Sequence, residues 1–322
     1  MPLDPHAKRL LDMLAVSAPS IHARLGPVER RRAFEDLMKL GGLPEPIGDM
    51  ANFSAPGPAG PIPLRAYVPV RAMIEPAAAL VYFHGGGFVA GSLDTHESLC
   101  RALANSTGCV VVSVGYRLAP ENPFPAALDD GCAAVTWILA HAASFRVDPR
   151  RIGLAGDSAG ANLAAAVCQI LRYTPGPKLV MQLLLCPILD FSAETESRRT
   201  FRAGYLFDMT DFLQQLKEYL PVGADLTDPR ISPLCARELS GLPVTYIHTA
   251  EYDPMRDEGL RYAERLRAAN IEVHYVCHAG MIHLFYALSG AIPSASAAVR
   301  RIATQIAPAL TGEYLDDRAH RI

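Results

Sequence analysis

Ile152-Gly153-Leu154-Ala155-Gly156-Asp157-Ser158-Ala159-Gly160 carries an apolar strand pattern through a tight glycine turn into the helical run Ala161 to Leu171. A serine set between strand and helix in this way sits on a strained turn that lifts its hydroxyl above the sheet. Small residues two before and two after it let strand and helix approach closely, and Gly156 and Gly160 supply them. A bare Gly-x-Ser-x-Gly is also an ordinary strand-to-helix loop. The flanking patterns decide for a nucleophilic serine.

Working outward, short aliphatic runs alternate with longer helical ones from residue 79 onward. Ala79 to Phe83, Cys109 to Val114, Arg151 to Ala155, Leu179 to Leu185, Val244 to His248 and Ile271 to Cys277 read as strands buried on both faces. Helical patterns fill most of the gaps, at His96 to Asn105, Ala126 to Ala142, Ala159 to Arg172 and Arg256 to Ala269, with a last one at Ser294 to Ala307. This alternation predicts an α/β fold with a mostly parallel sheet of about eight strands and helices on both faces. The Pro- and Gly-rich stretch Ala55 to Pro63, between candidate strands Asp49 to Ser54 and Ile62 to Val68, predicts an antiparallel hairpin at the sheet edge. Residues 1–45, read as two helices, and the charged, aromatic-bearing stretch 190–235 fall outside the alternation. Together they suggest a helical cap over a catalytic domain made of 46–189 and 236–322.

His84-Gly85-Gly86-Gly87 stands directly after the strand Ala79 to Phe83. Glycines there leave backbone N–H groups unscreened, as an oxyanion hole needs; a phosphate-cradling turn is the other use of such a loop. The expected donors are the amides of Gly85, Gly86 and Ala159, while His84 shapes the loop. With a serine nucleophile on this scaffold, acid and base follow in the order Ser, Asp or Glu, His. Asp253, before Pro254 and just after the strand Val244 to His248, is the expected acid over Glu251 and Asp257. Asp253-Pro254 is equally a helix start with Asp as cap, and both roles are open to one carboxylate. His283 follows Gly280 in a loop, whereas His274 and His278 lie within or at the end of a strand, so His283 is the expected base.

The totals exclude other classes. Thirty basic against thirty-three acidic residues, with no long block of either sign, leave no footprint for nucleic acid. Seven scattered cysteines without a Cys-x-x-Cys pair suit a reducing, cytoplasmic compartment. Leu10, Leu11 and Leu14 share one helical face behind Asp4-Pro5, a cap and first-turn proline, which favours an amphipathic helix over a signal peptide. A run of about 20 apolar residues, as a membrane span needs, is missing. His274 and His278 would stand about 13 Å apart along a strand, too far to share one ion, so no metal site is expected. Gly-x-Gly-x-x-Gly does not follow the first strand, which leaves a dinucleotide without its cradle.

Taken together, His84-Gly85-Gly86-Gly87 and Gly156-Asp157-Ser158-Ala159-Gly160 resemble the marks of the hormone-sensitive-lipase-like microbial esterases of the α/β-hydrolase superfamily. Tyr116-Arg117-Leu118-Ala119-Pro120-Glu121, Asp253-Pro254-Met255-Arg256-Asp257-Glu258 and Gly280-Met281-Ile282-His283 extend the likeness over residues 79–290. Ala161 and Leu284 depart from it, each standing where that family often has glycine. The resemblance implies a serine carboxylesterase without a cofactor, acting on small esters with short to medium acyl chains through an acyl-enzyme, and a homodimer built on the last strand and helix. Phe88, Tyr205, Leu206, Phe207, Ile282 and Phe285 are candidate pocket walls because they are apolar or aromatic and flank the motifs or lie in the insertion. A receptor, a peptidase or a lactonase on the same scaffold are the alternatives, since a fold does not dictate a function.

Overall fold

A computed structural model describes residues 1–17, 25–71 and 75–311. The stretch 18–24 within the expected N-terminal cap, and 312–322 at the end of the expected catalytic segment, lie outside the described residues. The sheet comprises β1 (Asp49–Gly57), β2 (Gly60–Val68), β3 (Ala77–Phe83), β4 (Val110–Val114), β5 (Val147–Asp157), β6 (Met181–Leu185), β7 (Val244–Tyr252) and β8 (Val273–Ile282). They form one eight-stranded sheet in the order β1-β2-β4-β3-β5-β6-β7-β8. Neighbours from β4 to β8 pair in parallel, and β2 runs antiparallel to both β1 and β4.

Period-two alternation sends the two sides of each strand into different cores. Ala79, Val81 and Phe83 of β3 join the core under α4 (Ala126–Ala140), α5 (Ala159–Leu171) and α8 (Arg256–Ala268), whereas Leu80 and Tyr82 point to α3 (Glu97–Thr107) and α9 (Ser294–Thr311). The hairpin forms at the edge as expected, but its strands run further into the Pro/Gly segment than composition suggests, leaving a turn of Pro58 and Ala59. Pro61 and Pro63 are tolerated because β2 meets β4 only over Leu64 to Tyr67, so no ladder bond there needs their missing N–H.

At the N-terminus, Asp4 Oδ1 accepts the amides of His6 and Ala7 and starts α1 (Pro5–Ser17), which is tied to β8 by Asp4 N donating to Gly280 O at 2.9 Å. The second helix, α2 (Pro27–Met38), reaches the insertion instead: Arg30 pairs with Glu218 at 2.6 Å. The insertion holds α6 (Glu196–Thr200) and α7 (Met209–Tyr219), the latter capped by Asp208, whose carboxylate accepts from Thr210 N and Asp211 N. Met209, Phe212 and Tyr219 turn one face of α7 inward. Arg198 and Glu258, both buried and 2.6 Å apart, pin the insertion to α8, and Glu258 Oε2 also accepts the amides of Leu189 and Asp190.

Candidate active site

Ser158 ends the turn between β5 and α5 at φ 52, a left-handed conformation that a residue with a Cβ holds only under constraint from its surroundings. Its amide donates to Leu185 O of the neighbouring strand at 2.8 Å, which fixes the turn against β6. The flanking glycines are required by contact: a Cβ on Gly156 would collide with the Gly160 carbonyl, and one on Gly160 with the carbonyl oxygen of Phe83. The hydroxyl is thus carried at the carboxyl edge of the sheet, beside the ends of β3 and β6.

His283 follows β8 directly, because that strand runs on to Ile282 instead of stopping at Cys277. Leu284 then takes φ 63, the left-handed backbone that glycine would adopt freely. His283 Nε2 lies 3.0 Å from Ser158 Oγ, and its Nδ1 lies 2.8 Å from Asp253 Oδ2. The other carboxylate oxygen of Asp253 accepts Met255 N at 2.8 Å, so this residue caps the turn into α8 and faces the imidazole at once. All three side chains are nearly or wholly buried. The alternatives are engaged elsewhere: Glu251 accepts Gly280 N, and Asp257 accepts Ser197 N.

One expected oxyanion donor is corrected. The amide of Gly85 points to the wholly buried Asp157 carboxylate, donating to Oδ1 at 2.9 Å. An N–H already spent on a carboxylate is not open to a substrate oxygen. Gly86, at φ 120, and Gly87, at φ 63, turn the loop past this anchor, and among the described residues their amides have no acceptor. Ala159 opens α5, so its amide is one of the unpaired first-turn donors of that helix. The three-glycine run signals the loop, but not which of its amides is free.

Asp157, the residue before Ser158, organises the loop. Tyr82 donates its hydroxyl to Oδ1 at 2.6 Å, and His96 Nε2 lies 3.3 Å away. Burial alone would raise the carboxyl, yet His96 and the Tyr82 hydroxyl hold it below the usual carboxylate range. His84 bonds Gly85 O through Nδ1 at 2.9 Å and stacks on Tyr116, whose hydroxyl donates to His84 O. Burial, with His96 nearby, lowers His84 to about 3, so its ring stays neutral. Asn162 of α5 donates to Ile188 O and Ile231 O and so fixes both ends of the insertion beside the turn.

The candidate wall residues divide. Phe207 sets its ring edge-on to His283, with centroids 4.8 Å apart. Tyr205 stacks with Tyr252, Leu206 is part-buried, and Ile282 is fully buried at the end of β8. Phe88 is fully buried and stacks face to face on Tyr219 at 3.9 Å, in a group with Phe191 and Phe212, so it braces the insertion. Phe285 is fully buried against His278 and Tyr286 in the core shared with α9, on which Tyr205 and Leu206 also pack. Gln215 of α7, missed in the sequence, lies against Gly87 so closely that a Cβ there would collide with its Oε1.

His274 and His278 have separate neighbours, Glu272 for one and His248 of β7 for the other, and do not share a site. Arg117 binds Asp130 and Glu121 binds Arg31, as scaffold.

Three comparisons bear on this geometry. A family model described as the alpha/beta hydrolase fold matches residues 80–287. The carboxylic ester hydrolase LipN of Mycobacterium tuberculosis is 46% identical over 231 residues, 70% of this chain and 61% of that protein, so the match spans about three-fifths of the relative's length. The ethyl acetate hydrolase of Pseudomonas putida is 36% identical over 277 residues, 83% of this chain and 85% of its own. Among solved structures, an ester hydrolase from the metagenome of Lake Arreo superposes with a TM-score of 0.91 at 39% identity, covering 95% of this chain and 98% of that one.

Proposed function

The chain belongs to the α/β-hydrolase fold family, in its hormone-sensitive-lipase-like branch of ester hydrolases, and from that premise we propose that it is a serine carboxylesterase acting on small esters with short to medium acyl chains. The observation that carries this reading is the unbroken line from Asp253 Oδ2 through His283 to Ser158 Oγ, with contacts of 2.8 and 3.0 Å.

In the first half-reaction, His283 Nε2 takes the Ser158 proton as Oγ attacks the ester carbonyl. Asp253 holds the ring with its proton on Nδ1 and stabilises the imidazolium that forms. Negative charge gathers on the carbonyl oxygen, where the amides of Gly86, Gly87 and Ala159 stabilise it. His283 returns the proton to the leaving alcohol, then draws one from water to release the acid from Ser158. No step needs a metal or an organic cofactor.

The cap reading is supported by the Arg30 to Glu218 pair, which joins α2 to α7, and by Phe207, from the stretch before α7, lying on His283. A homodimer through β8 and α9 is supported by β8 standing at the open edge of the sheet. A reducing compartment suits the cysteines, which are free among the described residues, and no described helix is long and apolar enough to cross a membrane.

The test is hydrolysis of a chromogenic ester series of increasing acyl length, beside an amide analogue and a lactone, by the protein and by Ser158→Ala. We expect the ester rate to exceed the others and to fall on the order of 10⁴-fold or more in the variant. Substantial activity retained by Ser158→Ala would remove Ser158 as nucleophile.

A further inference from the structure

A nucleophilic side chain that the reaction does not use reaches the same ground. Cys186 follows β6, is buried, and takes φ 42, a left-handed conformation that its surroundings must impose. Its amide donates to His248 O at 2.7 Å, and the preceding residue, Leu185, accepts the Ser158 amide at 2.8 Å. The thiol is therefore held in register with the serine turn. Cys186 Sγ, a carboxylate oxygen of Asp253 and a ring nitrogen of His283 all lie within 4.8 Å of one another. The buried hydroxyl of Tyr286 lies beside the same thiol without a well-formed hydrogen bond of its own.

Thiolate, imidazole and carboxylate are the donors that zinc-like cations take, at roughly 2.0 to 2.3 Å, which puts neighbouring ligand atoms about 3.3 to 3.8 Å apart in a tetrahedron. To reach that spacing the Asp253 to His283 contact, now 2.8 Å, opens by roughly half an ångström and Cys186 Sγ closes by up to about 1 Å. We propose that Cys186, Asp253 and His283 form an inhibitory site for a soft divalent cation such as Zn²⁺ or Cd²⁺. The cation is an inhibitor here and takes no part in hydrolysis.

The proton balance explains the inhibition. The ion bonds to Cys186 Sγ, to Asp253 and to His283 Nδ1, the ring nitrogen 2.8 Å from the carboxylate. The thiol proton leaves to solvent. The Nδ1 proton is displaced and the ring carries its single proton on Nε2 instead, so one proton is released for each ion bound. Nε2–H then faces Ser158 as a donor and cannot accept the serine proton. This mechanism rests on the reading of His283 as general base.

The experiment titrates the purified full chain with Cd²⁺, following the ultraviolet thiolate-to-cadmium charge-transfer band and ester hydrolysis in the same samples. Cys186→Ser, Cys186→Ala and Cys277→Ser are run beside the wild type, because Cys277 is exposed and competes for the ion. We expect the band and the loss of hydrolysis to rise together and to reverse with a chelator. Both Cys186 variants, active without metal, should bind at least roughly tenfold more weakly, while Cys277→Ser should match the wild type. Inhibition unchanged in the Cys186 variants, or a band lost only in Cys277→Ser, overturns the proposal. A band formed through Cys186 with hydrolysis untouched overturns the inhibition. The metal-free Ser158→Ala measurement stands apart, so failure of the cation site and failure of the esterase reading are told apart.

Discussion

Asp157 Oδ1 accepts the amide of Gly85 at 2.9 Å, so the residue next to the proposed nucleophile anchors the loop that carries the proposed oxyanion donors. Two walls of the site, one from β5 and one from β3, are thereby joined by a single carboxylate, which Tyr82 and His96 hold in turn. Deleting it in Asp157→Ala leaves buried donors unpaired, at a cost of about 1 to 3 kcal/mol for each group. Loop displacement of about 1 Å costs on the order of a hundredfold in rate, so kcat should fall by that order with KM little changed. Asp157→Asn keeps an oxygen for Gly85 and Tyr82 and should recover much of kcat. Steady-state kinetics on both variants checks this; equal losses in kcat would detach Asp157 from the loop.

Asp253 serves two partners with two oxygens, and the variants separate them. In Asp253→Asn the side-chain oxygen can still accept Met255 N, so stability should be nearly kept, while the ring loses its carboxylate and the Nδ1–H tautomer is no longer enforced. A fall on the order of 10⁴ in kcat is expected. Asp253→Ala should show a similar rate loss and lose a further ~1 kcal/mol of stability with the cap. Urea unfolding beside kinetics distinguishes the two; a stable Ala variant would mean that the cap contributes little.

What could be read from the sequence was local. The serine turn, the strands around it and the Asp4 cap each announce themselves within a few neighbouring residues, since steric fit and capping act over that range. The distal partners did not. Gly85 was mistaken for an open donor because nothing in three consecutive glycines tells which amide meets a carboxylate from another strand. Phe285 enters the core shared with α9, and its apolar character reports burial without saying which core it joins. His278 meets His248 only through the pairing of β7 with β8, which no single strand encodes.

That histidine pair makes stability pH-dependent. His248 and His278 lie 3.1 Å apart; burial, with His278 and His274 nearby, lowers His248 to about 3, and burial, with Arg301 nearby, lowers His278 to about 4. A histidine whose folded value is depressed contributes stability that is fully present above its unfolded value of about 6.5. The contribution is lost as pH falls through that value toward the folded one, because the unfolded chain binds the extra proton. Together with His84, also lowered to about 3, each should remove roughly 1 kcal/mol per pH unit on the acid side. Unfolding free energies at pH 6.5 and 5 should fall accordingly, and His248→Leu should flatten the slope. An unchanged slope in the variant would show that the pair is not buried neutral.

The last expectation contrasts two aromatic residues that looked alike in the sequence. Phe207 sits edge-on to His283 and is linked to Phe212 at 5.2 Å, and through it to the aromatic group around Phe88 and Tyr219. A ring in that position touches whatever acyl or alcohol group rests beside the imidazole, so its removal costs contact that grows with the size of that group. Losing such apolar contact is worth about 1 to 3 kcal/mol, or roughly 10- to 200-fold in kcat/KM. Phe207→Ala should therefore lower kcat/KM for longer acyl esters by that order and spare acetate esters, flattening the acyl-length profile. Phe285 lies in the other core, against His278 and Tyr286. Phe285→Leu should lower Tm while leaving the shape of the profile intact. Acyl-length series and melting curves on the two variants decide the matter: a profile reshaped by Phe285→Leu, or left unchanged by Phe207→Ala, would reverse the assignment of these two rings.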